Sequence, residues 1–304
     1  MPGKTAYGNF HDFCRDTGSR HSTLPVCNLF KESPVQGGRR PWYNGCSLLG
    51  VHLGGGRFLA NLGSIIVAFL AVLTALFLLF RSNRKRAAVG RREMQMFLGS
   101  FMLVQICEIL SVGHFPLNSS VQKAFSAIHI AAIVSTAWIL MINALVGYQL
   151  LDDGTPLSIG LTFGSAAAFF IATGYIALDT GFDFTHTWND SLTGQNRHYS
   201  LYTLYLLLPL VFLVLFFLLE AVLVLKVLGE KRPMIYLVSA TLLFAIGQIF
   251  QFIASPHICR GTHGKINGSL FETLFTLAAV VMAWIFWDSI TEDDWPSATG
   301  DGTY

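Results

Sequence analysis

Charge is what this 304-residue chain has least of: Asp, Glu, Lys and Arg together make up 12% of it. A soluble globular domain carries about 25%. With 53% of residues hydrophobic, so little charge cannot solvate the outside of one water-soluble core. An ordinary cytosolic enzyme is therefore excluded. A disordered chain is excluded as well, because disorder requires low hydrophobicity and high net charge. The formal net charge of +2 is too small for a general nucleic-acid binder, and no nucleic acid is expected as a partner.

Catalytic signatures are missing too. There is no Ser in a G-x-S-x-G elbow and no P-loop. His114, His186, His198, His257 and His263 fall on one side of the spans described below. None forms the i, i+4 helical pair that puts two imidazoles on one metal, so no metal and no cofactor is expected. Gln149-Leu150-Leu151-Asp152-Asp153 follows the third span in place of Asp-Arg-Tyr. The seventh span has neither Asn-Pro-x-x-Tyr nor a lysine. These absences argue against a rhodopsin-like receptor.

What the chain does have is long apolar runs, several reaching the ~20 residues that a helix needs to cross ~30 Å of hydrocarbon. Seven spans are expected: Phe58–Phe80, Met94–Val112, Ala124–Tyr148, Leu157–Leu178, Leu201–Leu225, Met234–Ala254 and Leu270–Trp287. The ~10-residue alternating segments of a membrane β-barrel are absent. The fold expected is therefore all-α, a polytopic membrane protein of seven transmembrane helices. It divides into a Cys-containing N-terminal tail (1–57), the helix bundle (58–287) and an acidic C-terminal tail (288–304). The first 30 residues lack the apolar core of a cleavable signal peptide, so the tail is expected to persist.

Six basic residues crowd the first connection: Arg81, Arg84, Lys85, Arg86, Arg91 and Arg92. Short basic loops stay cytoplasmic. This places the N-terminus on the far side of the membrane and the C-terminus in the cytoplasm. Cys14, Cys27, Cys46 and Cys259 then share the non-cytoplasmic side, whereas Cys107 lies within a span. Four cysteines in an oxidising compartment suggest two disulfides, and three pairings are open. The local Cys14–Cys27 pair, with Cys46–Cys259 beside it, is favoured. Asn118 and Asn189 begin glycosylation sequons on that side, and Asn189, in mid-loop, is the better acceptor.

Ionisable residues inside membranes are functional candidates, which singles out Glu108, His129, Glu220 and Glu272. Glu220 and Glu272 lie near helix ends, where snorkelling to water is open to them. Glu108 and His129 are positioned to pair between spans two and three. Gly160, Gly164 and Ala168 form a small-x-x-x-small face, suited to packing within the bundle or against a partner.

Several segments resemble one family. They are Tyr7-Gly8-Asn9-Phe10 through Cys14 to Leu24-Pro25-Val26-Cys27; AAVGRRE (87–93); TAWILMINALVGYQLLDDGTPLS (136–158); SPHICRGTHGKINGSLFETLF (255–275); and FWDSITEDDW (286–295). In this order they are similar to the fungal chitin synthase export chaperones, multispanning proteins of the endoplasmic reticulum. The resemblance implies a membrane chaperone that helps a chitin synthase fold and leave that compartment in support of cell-wall chitin, and that is not itself an enzyme. Onward travel with its client to the plasma membrane is compatible with this. The short loops agree, having no room for a glycosyltransferase domain and no Gln-x-x-Arg-Trp. By this reading the partners are a chitin synthase, the lipid bilayer and vesicle-coat machinery, the last reading Glu292, Asp293, Asp294 and Trp295 in the tail. The competing expectation is a seven-helix enzyme or transporter for a small molecule or lipid. A buried polar site joining Glu108, His129 and Glu272 would favour it.

Overall fold

The computed structural model describes residues 7–14, 24–30, 48–54, 57–59, 61–85, 87–112, 118–149, 153–188 and 197–291. Cys46, Arg86, His114, Asn189, Glu292, Asp293, Asp294 and Trp295 lie outside them. Seven helices are long and apolar enough to cross a membrane: α1 (Leu62–Arg84), α2 (Arg91–Ser111), α3 (Ser119–Gly147), α4 (Pro156–Phe182), α5 (Tyr199–Leu228), α6 (Arg232–Gly261) and α7 (Gly268–Ser289).

The first span needs a correction. Phe58 and Leu59 belong to a strand, β2 (Arg57–Leu59), paired antiparallel with β1 (Val51–Gly54). The helix begins only after Asn61, whose side chain accepts from the Ser64 amide and caps the first turn. Elsewhere the helices overrun the apolar runs. Helix α3 starts at Ser119, ahead of the apolar run, and α6 continues through Gly261. Hydropathy marks what sits in hydrocarbon, whereas a helix continues as long as its backbone bonds can form.

Two prolines leave a legible trace. Pro209 follows a π-helical turn at Thr203–Leu207, and Pro256 follows another at Phe250–Ala254. Proline lacks the amide for an i−4 bond and crowds the preceding turn, and the wider π turn relieves both.

Helix α3 sits at the centre and is the most buried of the seven, whereas α4 and α6 are the least. It packs on α2, α4 and α5, while α7 packs on α6 and α1, and α1 on α2. The largest apolar cluster joins all seven helices through residues such as Ala75, Leu98, Leu140, Ala166, Phe216, Leu237 and Trp284. A second cluster lies at one end, where Phe10, Leu24, Val26 and Leu29 of the N-terminal tail bury against Ala127, Ile130, Ala177 and Leu201. We call this the cap end. The opposite end, carrying the α1–α2 and α5–α6 connections, is the basic end.

The small-residue face of α4 has a clear direction. A Cβ at Gly160 or Gly164 would meet nothing within 4 Å, and Ala168 is exposed. This face looks out of the bundle.

Candidate functional site

Three of the four intramembrane candidates meet. His129 Nε2 lies 3.5 Å from Glu108 Oε2, and His129 Nδ1 lies 2.8 Å from Ser111 Oγ. The Ser111 hydroxyl donates to the Cys107 carbonyl (2.6 Å). Its oxygen is thus left to accept from Nδ1–H in the neutral imidazole, which turns the bare Nε2 toward Glu108. Glu108 also reaches the Thr273 hydroxyl and interacts electrostatically with Glu272. Glu272, half-buried, accepts from Thr276 Oγ1 at 2.9 Å and bonds to the Gln248 side chain. Helices α2, α3, α6 and α7 thus share one polar cluster, and Tyr205 of α5 feels both carboxyls. Among the described residues, no group of three His, Cys, Asp or Glu could hold a metal ion.

Glu220 stands apart, near the basic end of α5. It is buried, and its Oε2 has no hydrogen-bond partner among the described residues. The Tyr148 hydroxyl donates to the neighbouring Leu219 carbonyl at 2.6 Å. Desolvation, and then the nearby Glu220 carboxyl, push the Tyr148 phenol above its ordinary value.

The cap end is built from the N-terminal segment. Cys14 and Cys27 form a disulfide. The next residue, Asn28, donates to Ser126 Oγ (2.9 Å) and the Ser111 carbonyl (3.4 Å). It thereby touches the residue that holds His129. Tyr7 stacks on Tyr199, and the His198 amide donates to the Gly8 carbonyl (2.8 Å). His198 itself is buried: Nδ1 accepts from the Leu201 amide, and Nε2 lies 3.1 Å from Thr180 Oγ1. Burial holds its pKa below the ordinary imidazole value. His186, His257 and His263 are exposed, and His186 pairs with Asp183.

Segment 255–275 closes the same end. Asn61 donates to Asn267 Oδ1 (3.2 Å) and Ser269 Oγ (2.6 Å), and the Gly268 amide donates to Ser255 Oγ (3.1 Å). A Cβ on Gly268 would lie 2.1 Å from the Phe250 carbonyl oxygen, so only glycine fits there. Asn267-Gly268-Ser269 is also a glycosylation sequon, but Asn267 is buried as the N-cap of α7. Cys259, next to this network, is disulfide-bonded. Cys107 is a buried free thiol.

At the basic end, the three remaining segments interlock. Gly90, at φ +67°, turns the chain into α2, and its amide donates to Asp153 Oδ2 at 3.0 Å. Glu93, fully buried, accepts from Ser158 Oγ (2.7 Å) and the Gly154 amide (3.4 Å). Trp287 Nε1 donates to the Val89 carbonyl (2.9 Å), Trp284 Nε1 donates to Ser82 Oγ (2.8 Å), and Lys85 pairs with Asp288 at 2.6 Å. Sequence reasoning missed Glu93, Asp153 and Asn61 as contact residues. The available signal was that Glu93 and Asp153 stand in the two segments AAVGRRE and DDGTPLS quoted for the resemblance.

The chain matches the family model for the chitin synthase export chaperone across residues 6–301. The Coccidioides immitis chitin synthase export chaperone is 26% identical over 97% of this chain and 86% of its own length. The Chaetomium globosum protein of the same description is 30% identical over 76% of this chain and 68% of its own length. The one from Aspergillus oryzae is 28% identical over 96% of this chain and 86% of its own length. No solved structure matches the chain. With the family model spanning nearly every residue, and the segments of the resemblance closing both ends of one seven-helix bundle, the chain belongs to the chitin synthase export chaperone family.

Proposed function

We propose that this protein is a membrane chaperone needed for a chitin synthase to fold and leave the endoplasmic reticulum, and that it works as a binding partner without a reaction of its own. The observation that carries this reading is the family match over residues 6–301. The structure supports the second half: Glu93, Asp153, Asn267 and the Trp287 indole of the family-like segments are spent on tying the two bundle ends together. What remains toward lipid is apolar surface suited to a client's membrane helices, where close packing and interhelical hydrogen bonds are the available chemistry. On this reading the cap end is lumenal and the basic end cytoplasmic, in keeping with the oxidised cysteines at the one and the short basic connections at the other. Cys46 and Cys259 then form the second disulfide, Asn189 is the lumenal glycan acceptor, and Glu292, Asp293, Asp294 and Trp295 form the tail that coat machinery reads. The test is deletion of the gene followed by localisation of each chitin synthase. Synthase held internally supports the reading; normal surface delivery with altered lipid or ion content overturns it.

A second reading, an enzyme or transporter for a small molecule or lipid, draws on the Glu108–His129–Glu272 cluster. Its groups are already bonded to Ser111, Thr273, Thr276 and Gln248, which favours interhelical glue. Glu108→Gln with Glu272→Gln discriminates: a chaperone keeps delivering synthase as long as the bundle stays folded.

A further inference from the structure

The basic end presents a rim of cations with little to balance them. Arg81, Arg84, Arg92, Lys226, Lys231 and Arg232 are exposed, and among the described residues at that end Glu230 is the only exposed acid. Asp153 and Glu93 are already bound to backbone amides and to Ser158. The end of α7 lies in the middle of this rim. On one side Arg81 sits over the Trp284 ring and Lys85 pairs with Asp288. On the other, Met234 in the first turn of α6 packs into the apolar cluster that also takes Trp284, Trp287 and Ile290. Lys231 and Arg232 stand three and two residues before it.

We propose that this rim is the docking surface for the chain's own acidic segment Glu292-Asp293-Asp294. The contact between Lys85 and Asp288 is its first pair, and the acids that follow extend the same interface. Three residues, Ser289 to Thr291, lie between Asp288 and Glu292, a reach of at most ~14 Å, from a point already paired with Lys85 at the end of α1 and on a helix that packs against α6. Attachment through so short a link gives an effective concentration in the ~mM range. The segment thus outcompetes free anions for the rim. The helix itself adds a reason. Carboxylates just beyond a helix C-terminus face the negative end of its dipole, and nearby cations remove that penalty. Docked in this way, the tail and the rim mask each other, and a partner that takes either one exposes the other. The contact does not depend on what the tail recognises when released.

The test is zero-length carbodiimide cross-linking of the full chain, with peptide mapping, in neutral detergent and in phosphatidylcholine vesicles with and without phosphatidylserine. Cross-links joining Glu292, Asp293 or Asp294 to Lys85, Lys226 or Lys231 are expected in all three. They should fall severalfold at ~1 M salt, where the Debye length is ~3 Å. They should vanish in the E292Q/D293N/D294N variant, which leaves the helices untouched and elutes as the parent does. Absence of these cross-links in neutral detergent and in phosphatidylcholine overturns the proposal. So does their loss on adding phosphatidylserine alone, since the rim then belongs to anionic lipid.

Discussion

At the cap end, a long stretch of chain outside the spans is tied down by a disulfide, by Asn28 bonding to α2 and α3, and by apolar side chains buried against α3, α4 and α5. At the basic end the connections are short, and the ties are indole N–H groups, an ion pair and single backbone amides held by carboxylates. The difference follows from the length of chain to be ordered. A long segment loses much conformational entropy on docking, and covalent closure together with apolar burial offsets it. A short connection is already confined by the two helices it joins, and a few well-aimed hydrogen bonds suffice.

The comparison can be broken most severely at Gly268. Gly268→Ala places a methyl group on the Phe250 carbonyl, and neither backbone can yield easily. A loss at or above ~3 kcal/mol is expected, the upper range of overpacking, read as a collapse of the monodisperse peak in thermal size-exclusion runs. Cys27→Ser comes next. Opening a loop with a sequence separation of 13 costs the cap ~3 kcal/mol or less, and protease should then cut the tail while the spans stay protected. Thiol labelling of denatured, unreduced wild-type protein should modify Cys107 alone.

Acid should weaken the cap end selectively, by a smaller amount. His198 is buried with its pKa lowered, so below ~6.5 the unfolded cap takes up a proton that the folded cap refuses. Stability contributed by the neutral imidazole is complete above that pH and falls away as pH drops through the window down to the folded value. Hydrogen exchange at Leu201 and Tyr202 against pH checks it, and His198→Gln should flatten the profile. At the basic end, Trp287→Phe removes one indole bond to the Val89 carbonyl and should cost ~1 kcal/mol, with no change at the cap. The smallest effect is expected on the outward face of α4. Gly164→Leu meets empty space and should shift stability by no more than ~0.5 kcal/mol. If that variant nevertheless fails to deliver synthase, the face is a client contact.

The seven spans were legible in the chain because hydropathy belongs to each segment separately: a run such as Ile65–Phe80 must lie in hydrocarbon whatever its neighbours are. The family-like segments were legible for the same reason, each being a local string. Which residues meet across the bundle was not. Glu220 and Glu272 read alike in the chain, each near a helix end, yet the assembled bundle brings Glu272 to Glu108 and leaves Glu220 beside Tyr148. Gly160 and Gly164 read equally well as an inner or an outer face, and only the azimuth of α4 on α3 turned them outward. Phe58 and Leu59 looked like the start of a helix until Asn61 and Ser269 placed the cap of α1 after them. Span existence is decided by transfer between two solvents, one helix at a time. Neighbours, rotation and caps are decided by summed contacts over several helices, and no local stretch of sequence encodes that sum.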